Sequence, residues 1–309
     1  MNAPFRKLLL LVLLLAAVAL TAGMAWVTME YGPTLARPAG VPSPSTPAPP
    51  VSLQPVRANS VAQLEGLFER RDYPWPPAGT VPPLAVQALP PGLEQARVER
   101  KKRLFFRALL PLVVAENAAI ARHRAFLRSA FAKAELSRTA PEWYRVRALA
   151  ERYQLKGDLN DPAVRRRLLR RVDVVPPGLA LAQAANESAW GTSRFTRVAN
   201  NLFGQWTYDA TEGVVPKRRR EGASHYVRVF PGLRASVRAY LHNINVGHAY
   251  SGFRQMRAHL RASGQPLDPL VLAGGLARYS QRGWDYVAEI RAMIRYDGLA
   301  DLNGVRLEG

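Results

Sequence analysis

Apolar residues fill the stretch from Leu8 to Val27 apart from Thr21 and Gly23, directly after Arg6 and Lys7. That length matches the roughly 20 residues needed to cross the hydrocarbon core of a bilayer. A removable secretory signal has a shorter apolar region, about 7–15 residues, and then a small-residue cleavage site. Here Met24, Trp26 and Val27 prolong the run instead, which predicts a retained transmembrane helix within residues 1–30. Basic residues precede the span and the next one after it is Arg37, so the positive-inside rule leaves the short N-terminus in the cytoplasm. The remainder is then expected outside the cytoplasmic membrane.

From Gly32 to Gly92 the apolar positions lose any period and proline takes over, most densely at Pro38–Pro55 and Tyr73–Pro83. Residues 31–92 are therefore predicted to be an extended, semi-rigid linker with no core of its own. Tyr73 and Trp75 are aromatic residues in it that could dock elsewhere. A helical period follows in Glu94–Lys133, where Leu104, Leu109, Leu112, Ile120 and Leu127 recur, with Pro111 expected to break or kink the helix. Asp161-Pro162 and Pro176-Pro177 have the form of helix starts, the first leading into Ala163–Arg171. Between Leu202 and Phe230, Val214-Val215 and Tyr226-Val227 suggest two short strands separated by the basic run Lys217–Arg220. Helical spacing resumes at Leu233–Ile244, Phe253–Ala262, Pro269–Tyr279 and Trp284–Ile294.

This pattern predicts an α+β fold, mainly α, with a helical extension over 93–172 and a second domain over 173–303 that carries a small β-hairpin. About 200 residues after the linker can bury one sizeable core.

Charge adds a partner class. The formal charge is +20 and the pI near 11.0, which suits nucleic acid, acidic lipid or cell wall as a partner, or simply an arginine-rich solvated face. Export argues against nucleic acid. With no cysteine, disulfides, thiolate metal sites and a cysteine nucleophile are excluded. His123, His225, His242, His248 and His259 lack metal-binding spacing, and no glycine-rich phosphate loop is present, so no cofactor is expected.

Glu187 stands out in the apolar, alanine-rich segment Gly178–Gly191. Its neighbours three and four residues away are Gln183, Ala184, Trp190 and Gly191, none of them a cation. A carboxyl desolvated against an aromatic ring such as Trp190 has a raised pKa, as a general acid for glycoside cleavage requires. An exposed glutamate at a helix end would show the same spacing. Downstream, Asn200-Asn201-Leu202-Phe203-Gly204 forms a turn whose paired amides can hold loop backbone or a sugar.

The run Gln183-Ala-Ala-Asn-Glu187-Ser-Ala-Trp-Gly-Thr-Ser-Arg-Phe195, followed by Asn200-Asn-Leu-Phe-Gly204, resembles the signature of the glucosaminidase family of peptidoglycan hydrolases. Its Bax-type branch is the most similar, through Phe105-Phe106, Leu109-Leu-Pro-Leu112, Glu116-Asn117 and Tyr279-Ser-Gln-Arg-Gly283 leading to Tyr286–Ile294. The likeness covers about residues 95–303.

It implies a lysozyme-like fold and hydrolysis of β-1,4 bonds after N-acetylglucosamine in peptidoglycan glycan strands, at the periplasmic side of a bacterial inner membrane. Glu187 matches the family's acid, Tyr286 a cleft-facing tyrosine on the C-terminal helix, and Tyr279 a second aromatic position. Trp190, Asn200, Asn201, Phe203 and His225 are the expected substrate contacts.

Many relatives carry a second carboxylate on the hairpin. Here Asp209, Glu212 and Glu221 are available, and Glu221 is carried forward as the catalytic one. Tyr226 follows His225 where the resemblance leads one to expect an acid, so assistance by the substrate's N-acetyl group stays open. A lytic transglycosylase and a non-catalytic wall-binding scaffold are the alternatives. The sequence sets no oligomeric state.

Overall fold

The computed structural model describes residues 52–216 and 224–309. The expected membrane helix, the run Lys217–Arg220 and Glu221 lie outside the described residues.

The proline-rich stretch is folded where it is described. It forms β1 (Gln54–Val56), α1 (Val61–Arg70), β2 (Thr80–Val81) and β3 (Leu84–Val86). β1 and β3 pair in parallel, Gln54 opposite Leu84 and Val56 opposite Val86. Ser60 caps α1 by accepting from the Gln63 amide. Leu64, Phe68, Val81, Leu84 and Val86 are buried, so the expected extended linker is corrected here to part of the folded body. Proline is tolerated because it falls in the bends between these elements or on the short edge strand β1. Tyr73 is buried against Phe68, and Trp75 stacks on Phe106 at 5.0 Å between centroids. Both rings dock within the chain.

α2 (Val98–Phe131) is the central mast. It continues as one helix through Pro111, so the expected break does not occur. Proline has no N–H to offer the carbonyl four residues back, a cost of about 3 kcal/mol in a helix interior. Dense burial from Leu104 to Asn117, interrupted only by Arg107, offsets that cost. Among the described residues α2 alone is long and apolar enough to cross a membrane, yet 78% of its most apolar window is buried, which makes it a core helix.

Next come α3 (Pro141–Arg152) and α4 (Pro162–Arg171), whose predicted start is capped by Asp161 accepting from the Ala163 amide at 2.7 Å. α5 (Pro177–Ser188) begins after Pro176 as the sequence suggested, and α6 (Arg194–Ala199) is capped by Ser193. The β-element has three strands where two were predicted: β4 (Trp206–Thr207), β5 (Gly213–Val214) and β6 (Tyr226–Arg228), antiparallel with β6 central. Then follow α7 (Leu233–Val246), α8 (Ser251–Ala262) and α9 (Pro269–Ala273). α9 gives way to a 3-10 turn at Gly274–Leu276, ending the helix expected to reach Tyr279. α10 (Trp284–Tyr296) and β7 (Arg306–Leu307) close the chain, β7 pairing in parallel with β2.

α5 runs through the middle. A Cβ on Gly178 would lie 2.0 Å from the Leu299 carbonyl oxygen, so glycine is needed for that close approach. α2 pins the start of α5, since Asn117 Nδ2 donates to the Val175 carbonyl at 2.7 Å and its Oδ1 accepts from the Val175 amide at 3.1 Å. One hydrophobic core extends from Leu53 to Val305, spanning the expected linker, extension and second domain. The fold is α+β and mainly α.

Candidate active site

The last turn of α5 is fixed from several sides. Ser188 Oγ donates to the Ala184 carbonyl at 2.6 Å and accepts from the Gly191 amide at 2.8 Å. Ala189, Trp190 and Gly191 all have left-handed backbones, with φ of 49°, 59° and 79°, so the chain leaves the helix abruptly just past Glu187. A Cβ on Gly191 would reach within 2.1 Å of Leu89 and 3.1 Å of Phe105. The Trp190 ring packs edge-on against Phe105 and Phe106 at 6.0 and 5.2 Å, with Lys102 Nζ 4.7 Å over its face. Trp190 thus anchors the helix end to α2.

The rings gathered around Glu187 are tyrosines. Tyr286 on α10 hydrogen-bonds to its carboxyl, and Asn186 Nδ2 lies at 3.5 Å. Behind Tyr286 runs a directed chain: Tyr240 on α7 donates to Gln183 Oε1 at 2.6 Å, and Gln183 Nε2 donates to the Tyr286 hydroxyl at 2.8 Å. All three side chains are buried. Because the Tyr286 oxygen already accepts from Gln183, its own proton is directed to Glu187.

Tyr279 stacks on Tyr286 at 5.3 Å, Tyr250 lies 5.8 Å from Tyr279, and Phe203 stacks on Tyr240 at 4.0 Å. Burial pushes the Tyr250 phenol up to about 12, and the nearby Glu187 charge adds to the rise. Burial likewise raises the Glu187 pKa. Its hydrogen bonds to Tyr286 and Asn186 pull it back in part, the Glu289 carboxylate raises it further, and Arg282 opposes that. The net result is a carboxyl that holds its proton better than an ordinary glutamate.

The other expected site residues divide clearly. Tyr279, Tyr286 and Phe203 belong to the aromatic surround of Glu187. Asn201 is buried and spent on the turn, its Nδ2 donating to the Gln205 and Arg228 carbonyls at 2.7 and 2.9 Å and its Oδ1 accepting from the Gln205 amide at 2.9 Å. Asn200 caps α6 in a left-handed conformation and donates to the Phe230 carbonyl at 3.1 Å. Both asparagines hold loop backbone here. His225 stacks on Trp206 at 3.7 Å beside the small sheet.

Two of the three hairpin carboxylates are described, and both have local partners. Glu212 pairs with Arg228 at 3.0 Å. Asp209 accepts from the Thr211 hydroxyl and amide at 2.6 and 2.8 Å, bonds that hold its pKa below the usual value.

Sequence reasoning gave no role to Gln183, Tyr240, Tyr250, Arg282 or Glu289. A partial signal existed for Glu289, three residues after Tyr286 and hence on the same side of α10. Arg282 Nη1 pairs with Glu289 at 2.8 Å. Among the described residues no three histidine, aspartate or glutamate side chains converge as metal ligands.

Residues 164–298 match the glucosaminidase family, described as mannosyl-glycoprotein endo-beta-N-acetylglucosaminidase. The chain is also similar to Protein bax of Escherichia coli (strain K12), 34% identical over 196 residues that cover 63% of this chain and 69% of that one. No solved structure matches. A half-buried acid in a tyrosine surround, the match over residues 164–298 and this extent of identity lead to one conclusion: the chain belongs to the Bax-type glucosaminidase family, a family of glycosidase type.

Proposed function

We propose that the protein is an endo-β-N-acetylglucosaminidase that cuts β-1,4 bonds in the glycan strands of peptidoglycan, with a lysozyme-like catalytic arrangement and Glu187 as general acid. The hydrogen-bonded chain Tyr240–Gln183–Tyr286–Glu187 is the observation that carries it. Glu187 gives its proton to the departing sugar's oxygen as the glycosidic bond breaks, and a water completes the reaction at the anomeric carbon. The carboxylate left behind is stabilised by the Tyr286 hydroxyl, whose proton is already directed at it. The raised pKa keeps the acid loaded, and the Tyr286 bond limits how costly its ionisation becomes.

For the water's proton, Asp209 and Glu212 are engaged locally, which leaves Glu221 as the hairpin carboxylate for the base. The substrate's N-acetyl oxygen is the alternative, forming a cyclic intermediate that water then opens. Retained by its N-terminal helix in the cytoplasmic membrane, the enzyme would act on the periplasmic side.

Digestion of purified sacculi with weighing of the fragments tests this. Hydrolysis gives products carrying one added water and a new N-acetylglucosamine reducing end. Products lacking that water would instead indicate a lytic transglycosylase, and no products at all a wall-binding scaffold.

A further inference from the structure

At the opposite end of α5 from Glu187, α4, α8 and α2 line a concavity of about 200 Å³. Glu187 lies ten residues on from Pro177 in the helix, about 15 Å along the axis, so the two sites are distinct. Four guanidinium groups line this groove, those of Arg124, Arg166, Arg170 and Arg261, and a single carboxylate, Asp173.

Asp173 is buried and already neutralised. Arg261 Nη2 reaches its Oδ1 at 3.0 Å, Arg124 Nη1 its Oδ2 at 3.4 Å, and the fully buried Arg257 lies beneath at 3.9 Å. Arg257 is also spent on the backbone, donating to the Arg170, Asp173 and Val174 carbonyls at 3.0, 3.1 and 2.9 Å. Arg166 and Arg170 stand one turn apart on the exposed side of α4, and neither has an acidic partner among the described residues. Like charges at that spacing disfavour the helix. Positive charge therefore converges on one concave spot far beyond what Asp173 balances.

We propose that this groove binds a phosphoryl oxyanion. The volume is several times the roughly 30 Å³ that a water occupies, enough for a compact tetrahedral anion. Arg124 Nη1 is spent on the Leu169 and Val172 carbonyls and Arg261 holds Asp173 through two nitrogens. A phosphoryl group offers several strong acceptor oxygens, which the Arg166 and Arg170 forks, with the donors that Arg124 and Arg261 keep beyond those bonds, match better than one more planar carboxylate would. Free phosphate and the phosphodiester of an anionic lipid headgroup share this chemistry. The site does not depend on glycan cleavage, and its test does not use it.

The full-length chain in neutral detergent micelles is melted with inorganic phosphate, with water-soluble dihexanoylphosphatidylglycerol, or with dihexanoylphosphatidylcholine, against sodium chloride at matched ionic strength. The expected result is a dose-dependent rise in Tm with phosphate, with the glycerol lipid, or with both, and none with the choline lipid or chloride. A response to phosphate alone assigns a soluble ligand; a response to the glycerol lipid assigns a headgroup. Arg166→Gln/Arg170→Gln should abolish the rise. Ala258→Glu, which places a carboxylate in the groove wall, should raise the basal Tm and also remove the response. No rise in wild type, or an equal rise in both variants, overturns the proposal.

Discussion

Glu116 and Glu187 are two carboxyls largely removed from water, and they respond in opposite directions. For Glu116, with a side chain 8% exposed, burial is the strongest single influence and pushes the pKa up, yet Arg238 and Arg234 together outweigh it and hold the group below the usual value. Their guanidinium nitrogens lie 2.6 to 3.0 Å from its oxygens. For Glu187 burial again acts most strongly, but its contacts are a phenol and an amide, both neutral, and the pKa ends above the usual value. Burial sets the same pressure on both groups, and the charge of the partners decides which way the proton goes. Glu116 is built to stay ionised and to fasten α2 to α7. Glu187 is built to carry a proton.

The largest expected effect breaks the comparison outright. Glu187→Gln should lower the rate of reducing-end release from sacculi by roughly 10²–10⁴-fold, the usual worth of a general acid. Glu116→Gln should leave the rate per folded molecule unchanged. The reverse pattern would exchange the two roles.

Next in size is stability. Glu116→Gln should cost about 1–3 kcal/mol of unfolding free energy in urea at neutral pH, through lost charged hydrogen bonds in a buried setting. A carboxyl whose folded pKa is depressed contributes stability above its unfolded value and loses it as pH falls through the folded value. The gap between wild type and Glu116→Gln should therefore close in acid.

Tyr286→Phe should act more mildly on the rate, by about tenfold or less, the worth of one hydrogen bond. It has a further signature. Since the Tyr286 bond lowers the Glu187 pKa, its loss should move the alkaline limb of the pH–rate profile to higher pH. A purely structural role for the tyrosine would lower the rate without moving that limb.

The smallest effect is again on stability, with the sign reversed. A carboxyl with a raised folded pKa contributes stability below its unfolded value and loses it as pH rises through the folded one. Glu187→Gln, which cannot ionise, should gain Tm over wild type at neutral pH and show no such gain in acid. An equal change at both pH values would mean that Glu187 does not titrate abnormally.

The legible parts of this contrast were the local ones. The absence of a cation three or four residues from Glu187, together with the motif around it, singled out Glu187 from sequence as the candidate acid. A separate motif, Tyr279-Ser-Gln-Arg-Gly283 leading into Tyr286, pointed to those two tyrosines. Gln183 lay within the quoted run yet received no role, because its function depends on Tyr240, 57 residues away along the chain. No periodicity records a contact of that kind.

Trp190 was the expected aromatic neighbour because it lies one turn on, but the left-handed residues Ala189 and Trp190 swing its ring toward Phe105 and Phe106. The proline-rich stretch misled for a related reason. Proline density describes how the chain bends, whereas Leu64, Phe68 and Leu84 find their places through β1–β3 pairing and packing on α2. Pro111 shows the same override, with tertiary burial retaining a helix that local propensity would end. The caps at Asp161 and Ser193 are short-range devices, of which the sequence pattern had marked the start at Asp161-Pro162.

The central claim is that burial, with no hydrogen-bonded cation to oppose it as Arg234 and Arg238 do at Glu116, gives the Glu187 carboxyl the proton it needs. The direct measurement is carbon-13 NMR titration of the glutamate side-chain carboxyls in the full-length protein, with the two resonances assigned through Glu187→Gln and Glu116→Gln. The account predicts that the Glu187 carboxyl titrates above the ordinary glutamate range of about 4.3 and the Glu116 carboxyl below it. A Glu187 carboxyl that titrates at or below the ordinary value, or alongside Glu116, would contradict it.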